Sequence, residues 1–352
     1  MKCIQFKFED NYIKDFIKLK KNIYKNDNTE DPAEMKKILE EKHPLSKYFS
    51  LYKFLIYDNK NVVGRFAITI YPNDDTAYFG FFECIEDESV AEFLFEKAKE
   101  FAVKNNYKKI IGPVDASFWI KYRLKINMFD KMPYTGEPYN KEYYLKMFLD
   151  NGYNISEHYT SNLYQTLDYD YENEKYLKRY NEFIQKGYIV KSIDMNKFED
   201  TLGELYYLLT DLYKDFPIYK SLSKEEFTKM FNSYNKIINP DMVKLAYYNE
   251  KMVGFFISIP NYENLVYNLN LYNILKILKL KNKPKEYIML YMGVDKKHVG
   301  LGKVLVYSII QELKKSGLPS IGALMRDGKI TRNYVKEIIE NKYEYVLLEL
   351  QL

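Results

Sequence analysis

The chain carries one pattern twice, which restricts it to folds built from two similar units. Asn59-Lys60-Asn61-Val62-Val63-Gly64-Arg65-Phe66-Ala67-Ile68 corresponds in order to Asn249-Glu250-Lys251-Met252-Val253-Gly254-Phe255-Phe256-Ile257-Ser258. Each is a polar turn, then a glycine within an apolar run, as in a hairpin between two strands. Gly64 and Gly254 are 190 positions apart. Further on, Tyr107-Lys108-Lys109-Ile110-Ile111-Gly112-Pro113 matches Leu318-Pro319-Ser320-Ile321-Gly322-Ala323, and here Ile111 and Ile321 are 210 positions apart. The change of offset predicts an insertion of about twenty residues in the second half, placed at Asn261 to Lys285.

Both halves then read in one order. A helix comes first (Tyr12–Lys25 and Phe198–Tyr213), then the hairpin and a third strand (Ala77–Glu83 and Tyr287–Val294). A long amphipathic helix, a short strand, a further helix and a last strand follow. Alternating strands and helices predict an α/β (α+β) layered architecture. At 352 residues the chain has room for two domains. The expected division is 1–168 and 169–352, with a linker and a polar helix over 168–186. Tyr153 to Leu167 is expected to close the first unit and Tyr343 to Leu350 the second.

Composition excludes several functions. The net charge is +4, with Lys and Glu interspersed, so no concentrated basic face for nucleic acid is expected. Cys3 and Cys84 have no paired or metal-binding spacing, and His43, His158 and His298 lie far apart, so no metal is expected. The N-terminus lacks an apolar signal region, and no stretch approaches the ~18 apolar residues of a spanning helix. A cytoplasmic protein without a transmembrane segment is the expectation.

The chemistry concentrates in Tyr287-Ile288-Met289-Leu290-Tyr291-Met292-Gly293-Val294-Asp295-Lys296-Lys297-His298-Val299-Gly300-Leu301-Gly302-Lys303-Val304-Leu305. This reads as a strand, a short basic loop with Gly-x-Gly, and a helix. Val304, Leu305, Ile309 and Leu313 fall at helical spacing, and Gly317 and Pro319 stop the helix. Glycine lets backbone approach a ligand with no Cβ between them. Unpaired amides at a helix start, together with the helix dipole, favour an anion. Lys296, Lys297 and Lys303 add positive charge. The pattern predicts a pyrophosphate cradle. It is not a dinucleotide fingerprint, because Leu305 stands where the third glycine belongs.

Lys297-His298-Val299-Gly300-Leu301-Gly302 resembles the Arg/Gln-x-x-Gly-x-Gly/Ala signature of GNAT acyltransferases, with Lys297 in place of Arg or Gln. The resemblance extends over residues 196 to 352. It implies two tandem units, each a mixed central sheet flanked by helices, and acetyl coenzyme A as co-substrate. It also implies that amides of His298 to Lys303 hold the pyrophosphate and that Met292, Gly293 and Val294 meet the pantetheine arm. Asn333 is a further coenzyme contact on the same grounds. The implied acceptor is an amine on a small molecule or peptide. A Fem-like aminoacyl transferase, taking its acyl group from tRNA, and a non-catalytic coenzyme A sensor are the alternatives. In the first half the corresponding stretch is Cys84-Ile85-Glu86-Asp87-Glu88-Ser89-Val90, with three carboxylates and no glycine. Carboxylates repel a pyrophosphate, so that unit is expected to be degenerate.

Amine acylation needs a neutral amine, and deprotonating a lysine-like amine at neutral pH costs about 4 kcal/mol without a base. Glu286, Asp295, Tyr291 and Glu263 are candidates. The family's acid, a Tyr about seven residues beyond an Asn, falls on Glu340 when counted from Asn333. Tyr334 and Tyr343 lie nearby, so the catalytic acid stays unassigned. His298 is expected to donate its backbone amide with its ring exposed. Leu271, Ile274, Leu275 and Leu278 predict a helix in the insertion, accompanied by Lys276, Lys279, Lys281 and Lys283. Packing of that helix on the body or against the other unit is the leading expectation, with a lid or a membrane-surface helix as alternatives.

Overall fold

The computed structural model describes residues 1–25 and 29–352, and at position 330 the backbone alone. The chain divides into two compact units. The first comprises Met1–His158, Asn264–Leu269 and Glu344–Leu352; the second comprises Tyr159–Glu263 and Asn270–Tyr343.

The first unit begins with strand β1 (Lys2–Phe6) and helices α1 (Asp10–Tyr24) and α2 (Pro32–Leu39). Strands β2 (Ser50–Asp58), β3 (Asn61–Ile70) and β4 (Thr76–Cys84) precede helix α3 (Glu88–Lys104) and strand β5 (Lys109–Gly112). Then come the short strands β6 (Val114–Asp115), β7 (Lys121–Tyr122) and β8 (Leu124–Lys125), helix α4 (Tyr144–Asp150) and the start of strand β9 (Asn154–Tyr164), whose end from Tyr159 belongs to the second unit. Strands β1 to β4 are antiparallel neighbours, and β4 and β5 run parallel.

The second unit continues with α5 (Glu174–Gln185), β10 (Ile189–Ser192), α6 (Phe198–Tyr213), α7 (Lys224–Phe231), β11 (Val243–Tyr248) and β12 (Lys251–Pro260). It ends with α8 (Leu271–Asn282), β13 (Tyr287–Val294), α9 (Leu301–Ser316), β14 (Ser320–Arg326) and the start of β15 (Ile339–Gln351). Strands β10 to β13 are antiparallel neighbours, and β13 and β14 run parallel. Each unit is therefore a mixed sheet with helices, as expected.

The sheet registers account for the change of offset. Gly64 pairs with Cys84 on the next strand, and Gly254 pairs with Val294. The second separation is longer by twenty residues, and α8 lies within the difference. The repeated glycine serves helix packing in both units. A Cβ on Gly64 would lie 2.9 Å from Leu94 of α3, and one on Gly254 would lie 3.1 Å from Leu301 of α9. A bulkier residue would push the long helix off its hairpin. That helix buries Val90, Ala91, Leu94, Phe95 and Ala98 in the first unit and Leu301, Val304, Leu305, Ile309 and Leu313 in the second. Each fully buried Leu or Ile contributes about 1.5–3 kcal/mol.

Three expectations are corrected. The end of β9 pairs with β14 in the second unit (Tyr164 with Ser320), whereas the end of β15 pairs with β5 in the first (Leu348 with Gly112). The closing strands are thus exchanged relative to the sequence reading. Both segments have apolar faces suited to either sheet, and local pattern carries no information about which edge a strand will cover. In place of a further helix after β14, the second unit has two 3₁₀ turns, Ile330–Asn333 and Lys336–Ile338. Thr331, Val335, Ile338 and Ile339 are β-branched and disfavour a helix, and Val335 breaks it outright with φ 45°. Finally, α8 buries only Ile277 and leaves Leu271, Ile274, Leu275 and Leu278 exposed.

Candidate functional site

Parallel strands β13 and β14 pair only at Tyr287–Met289 with Ser320–Gly322 and then diverge. Beyond that point β13 stays paired with β12, Met292 opposite Phe256 and Val294 opposite Gly254. Its other edge from Leu290 to Val294 is left without a strand partner among the described residues. Met292, Gly293 and Val294 therefore lie on one open edge that runs directly into the glycine loop.

The loop is a tight turn around Asp295. The Asp295 carbonyl accepts from the His298 amide at 2.8 Å, and its side chain accepts from the Lys297 amide at 3.0 Å. Leu301 donates to His298 and Lys303 to Gly300. Gly300 sits at φ 98°, a left-handed conformation that glycine adopts without strain, and α9 starts with no side-chain cap. Among the described residues, the amides of Val299, Gly300 and Gly302 meet no acceptor. Of the span His298 to Lys303, these three are available to a ligand, while those of His298, Leu301 and Lys303 are used to shape the turn. Unpaired amides at and just before the start of a sixteen-residue helix, together with the helix dipole, favour an anion.

Two cations complete the site that sequence reading had passed over. Lys175 and Arg179 lie one turn apart on α5, whose inner face buries Tyr176 and Phe183. A Cβ on Gly300 would lie 3.6 Å from Arg179 Nε, so the guanidinium lies beside the loop. Burial, then the charges of Lys175 and Arg179, push the Lys303 ammonium below its ordinary value. Three like charges thus converge at the start of α9, where Arg179 also pairs with Glu182 at 3.1 Å, and an anion bound there would relieve the remaining repulsion. The i, i+4 spacing of Lys175 and Arg179 was the available signal, but which helix they would face was not. Lys296 is exposed and pairs with Asp215 at 3.5 Å.

His298 differs from expectation. Its ring is half-buried, shares a 2.7 Å hydrogen bond between Nδ1 and the Tyr188 hydroxyl, and packs edge-on against Tyr188 and Tyr248. The ring therefore anchors the loop to its own unit.

Tyr334 lies over the first turn of α9. A Cβ on Gly302 would collide with its hydroxyl and would lie 3.1 Å from Met292 Cε. Gly302 thus makes room for Tyr334 beside the open edge of β13. The next residue, Val335, holds φ 45°, which is strained for a β-branched side chain. Its amide donates to the Tyr176 hydroxyl at 3.2 Å, and the Tyr176 and Tyr334 rings meet edge-on at 6.3 Å. Strain held by specific contacts points to a position that matters. Burial, then Tyr176, pushes the Tyr334 phenol up to about 12, so it stays protonated at neutral pH. Asn333 is exposed in the turn before it, Glu340 is exposed, and Tyr343 is buried.

The candidate bases do not gather there. Glu286 stands just before β13, at the end opposite the loop, where burial raises its carboxyl and Asn261 donates to it at 2.6 Å. Asp295 is the pivot of the turn. Tyr291 packs edge-on against Phe231 at 6.4 Å. The Glu263 amide donates to Asn261 next to Glu286.

The first unit fills its corresponding positions from within. Asp87 caps α3, accepting from the amides of Ser89 at 2.9 Å and Val90 at 3.2 Å. Strands β4 and β5 also diverge after a short pairing, but the chain then lays β6 over Gly80 so closely that a Cβ there would collide with the Val114 carbonyl. The Asp115 carboxylate takes the amide of Phe81, the positive-φ residue of β4, at 2.5 Å. Around a cavity of about 30 Å³, buried Lys20 pairs with Glu83 at 3.2 Å and Glu30 at 3.3 Å, and Arg65 pairs with Glu30 at 3.0 Å. The two cations are thus paired with carboxylates of their own unit.

No protein-family model matches the chain. Protein YghO of Escherichia coli K12 is 22% identical over 269 residues, covering 74% of this chain and 68% of that protein. The solved tandem GNAT protein from the clavulanic acid biosynthesis pathway matches 99% of this chain and 98% of its own, with a TM-score of 0.56 at 10% identity. A GCN5-related N-acetyltransferase from Sphaerobacter thermophilus matches 99% of this chain and 95% of its own, with a TM-score of 0.50 at 10% identity. With its two mixed-sheet units and its strand–loop–helix cradle, the chain has the tandem GNAT fold.

Proposed function

We propose that the second unit binds an acyl coenzyme A, with acetyl coenzyme A the first candidate, and transfers the acyl group to an amine on a small molecule or peptide. The observation that carries this reading is the start of α9, where unpaired amides at Val299, Gly300 and Gly302 occur in the same turn as the cluster of Lys303, Arg179 and Lys175. In this reading those groups take the phosphates, and the open edge of β13 from Met292 to Val294 takes the pantetheine amides. Asn333 is a further contact. The thioester supplies the activated acyl group.

Tyr334 is the acid in this reading. Its phenol stays protonated at neutral pH, stands beside Gly302 and Met292, and donates from Oη toward the leaving sulfur. An amide from the β13 edge polarises the thioester carbonyl. The amine attacks as the neutral base, its ammonium proton having gone to solvent, since Glu286 is at the far end of β13. The C–N bond forms at the thioester carbon as the C–S bond breaks, the sulfur takes the Tyr334 proton, and the proton released from the acylated nitrogen passes through solvent to restore the phenol.

The test is calorimetric titration of acetyl coenzyme A into the wild-type chain and into Gly300→Glu, followed by an amine screen for free thiol release. Binding to wild type and its loss in the folded variant support the reading. No binding to wild type overturns it. Binding without turnover against any amine favours the sensor alternative.

A further inference from the structure

Helix α8 is built inside out. Leu271, Ile274, Leu275 and Leu278 recur at i, i+3, i+4 and i+7, so they form one stripe along the helix. They are 74%, 40%, 58% and 50% exposed. The face turned to the rest of its unit is the one carrying Asn273, Ile277 and Leu280, of which only Ile277 is buried. A helix on the surface of a globular unit normally does the reverse.

Charge identifies what the stripe is made to meet. Between Leu271 and Lys285 there are five lysines (Lys276, Lys279, Lys281, Lys283 and Lys285) and no Asp or Glu. At 3.6 residues per turn, Lys279 and Lys281 fall roughly 80° to either side of Leu271, so they border the stripe. Lys281 donates to the Lys236 carbonyl at 2.8 Å, and Lys276 stands over the Tyr272 ring at 4.3 Å. An apolar stripe edged by lysines with no compensating carboxylate matches an anionic boundary over an apolar phase. That is the headgroup and acyl region of an anionic bilayer. Twelve residues are too short to span a membrane, and among the described residues no helix is long and apolar enough to do so. We propose that α8 lies in the surface of an anionic membrane, with Leu271, Ile274, Leu275 and Leu278 in the acyl boundary and the lysines at the headgroups. This inference is independent of the acyl-transfer reading.

The test is co-sedimentation of the full chain with vesicles of phosphatidylcholine alone or mixed with phosphatidylglycerol. Binding to the phosphatidylglycerol vesicles, weak in high salt and absent with phosphatidylcholine alone, is expected. The Leu275→Glu, Leu278→Glu double variant changes two exposed positions, so its circular dichroism melt should match wild type. Its vesicle binding should fall about tenfold or more, as should that of Lys279→Glu with Lys283→Glu. Equal binding by wild type and the leucine double variant overturns the proposal, as does absence of wild-type binding to either vesicle. If that absence comes with a dimer in analytical ultracentrifugation that the leucine variant makes monomeric, the stripe is covered by a second copy instead.

Discussion

The two long helices α3 and α9 pack on equivalent hairpins, each leaning on a glycine, yet their first turns are finished in opposite ways. The start of α3 is closed by Asp87, flanked by Glu86 and Glu88, with Asp115 on the neighbouring strand amide. The start of α9 has no cap, a left-handed Gly300 and three surrounding cations. The difference teaches that one scaffold supports either a self-satisfied helix start or an uncapped one with open amides. A few residues decide between them, because capping groups are local and short-range.

Several experiments would break or sharpen that contrast. The largest effect is expected from Arg65→Met in the first unit, which removes the Arg65 pairs to Glu30 and Glu83 and leaves Lys20, with Lys121 nearby, to compensate them. Loss of one member of a buried ion network costs about 3–5 kcal/mol, read as a lower denaturant midpoint. Coenzyme binding should be unchanged, because the proposed cradle lies wholly in the second unit. The pH dependence has a definite sign. Burial alone would raise the Glu30 carboxyl, but Arg65 and Lys20 hold it down to about 2. Its stabilisation is therefore present above the ordinary carboxylate range and is lost as pH falls from about 4 toward 2. Arg65→Met should move acid unfolding to higher pH.

Next in size, Gly300→Glu should weaken acetyl coenzyme A binding by about a hundredfold or more, since it adds both a carboxylate and left-handed strain. Gly300→Ala, which adds the strain without the charge, should lose less. Tyr334→Phe should lower kcat by roughly tenfold to a hundredfold with little change in coenzyme affinity. Because its phenol sits at about 12, wild-type activity should not decline through Tyr334 ionisation below about pH 11. A wild-type-like kcat for Tyr334→Phe would leave that hydroxyl a packing group against Gly302.

Lys175→Ala with Arg179→Ala should reduce affinity about tenfold and flatten its salt dependence, because two partly exposed charges are removed. The smallest change is expected from Asp87→Ala. It removes the α3 cap at a cost of about 1 kcal/mol in thermal unfolding. It should not create coenzyme binding, since Asp115 and the loop carboxylates remain. Binding in the first unit after that single change would show that capping alone separates the two units.

The sequence by itself determined the repeated hairpins, the strand from Tyr287 to Val294, the helix from Leu301 and the glycine turn between them. Each rests on local periodicity or on the backbone freedom of a single residue, and such signals are read within one or two turns of chain. The twenty-residue insertion followed from the same local matches. The exchange of β9 and β15 between the units was decided only by the tertiary structure, since either strand suits either edge. So was the approach of Tyr334 to Gly302, thirty-two positions away along the chain, through a strained Val335 tied to Tyr176. Lys175 and Arg179 were visible as charges but not as partners of α9, and Asp115 was visible as a carboxylate but not as the group that fills the first unit's strand edge. Those relations arise when distant segments share one packed core, and no local pattern encodes which distant segment will arrive.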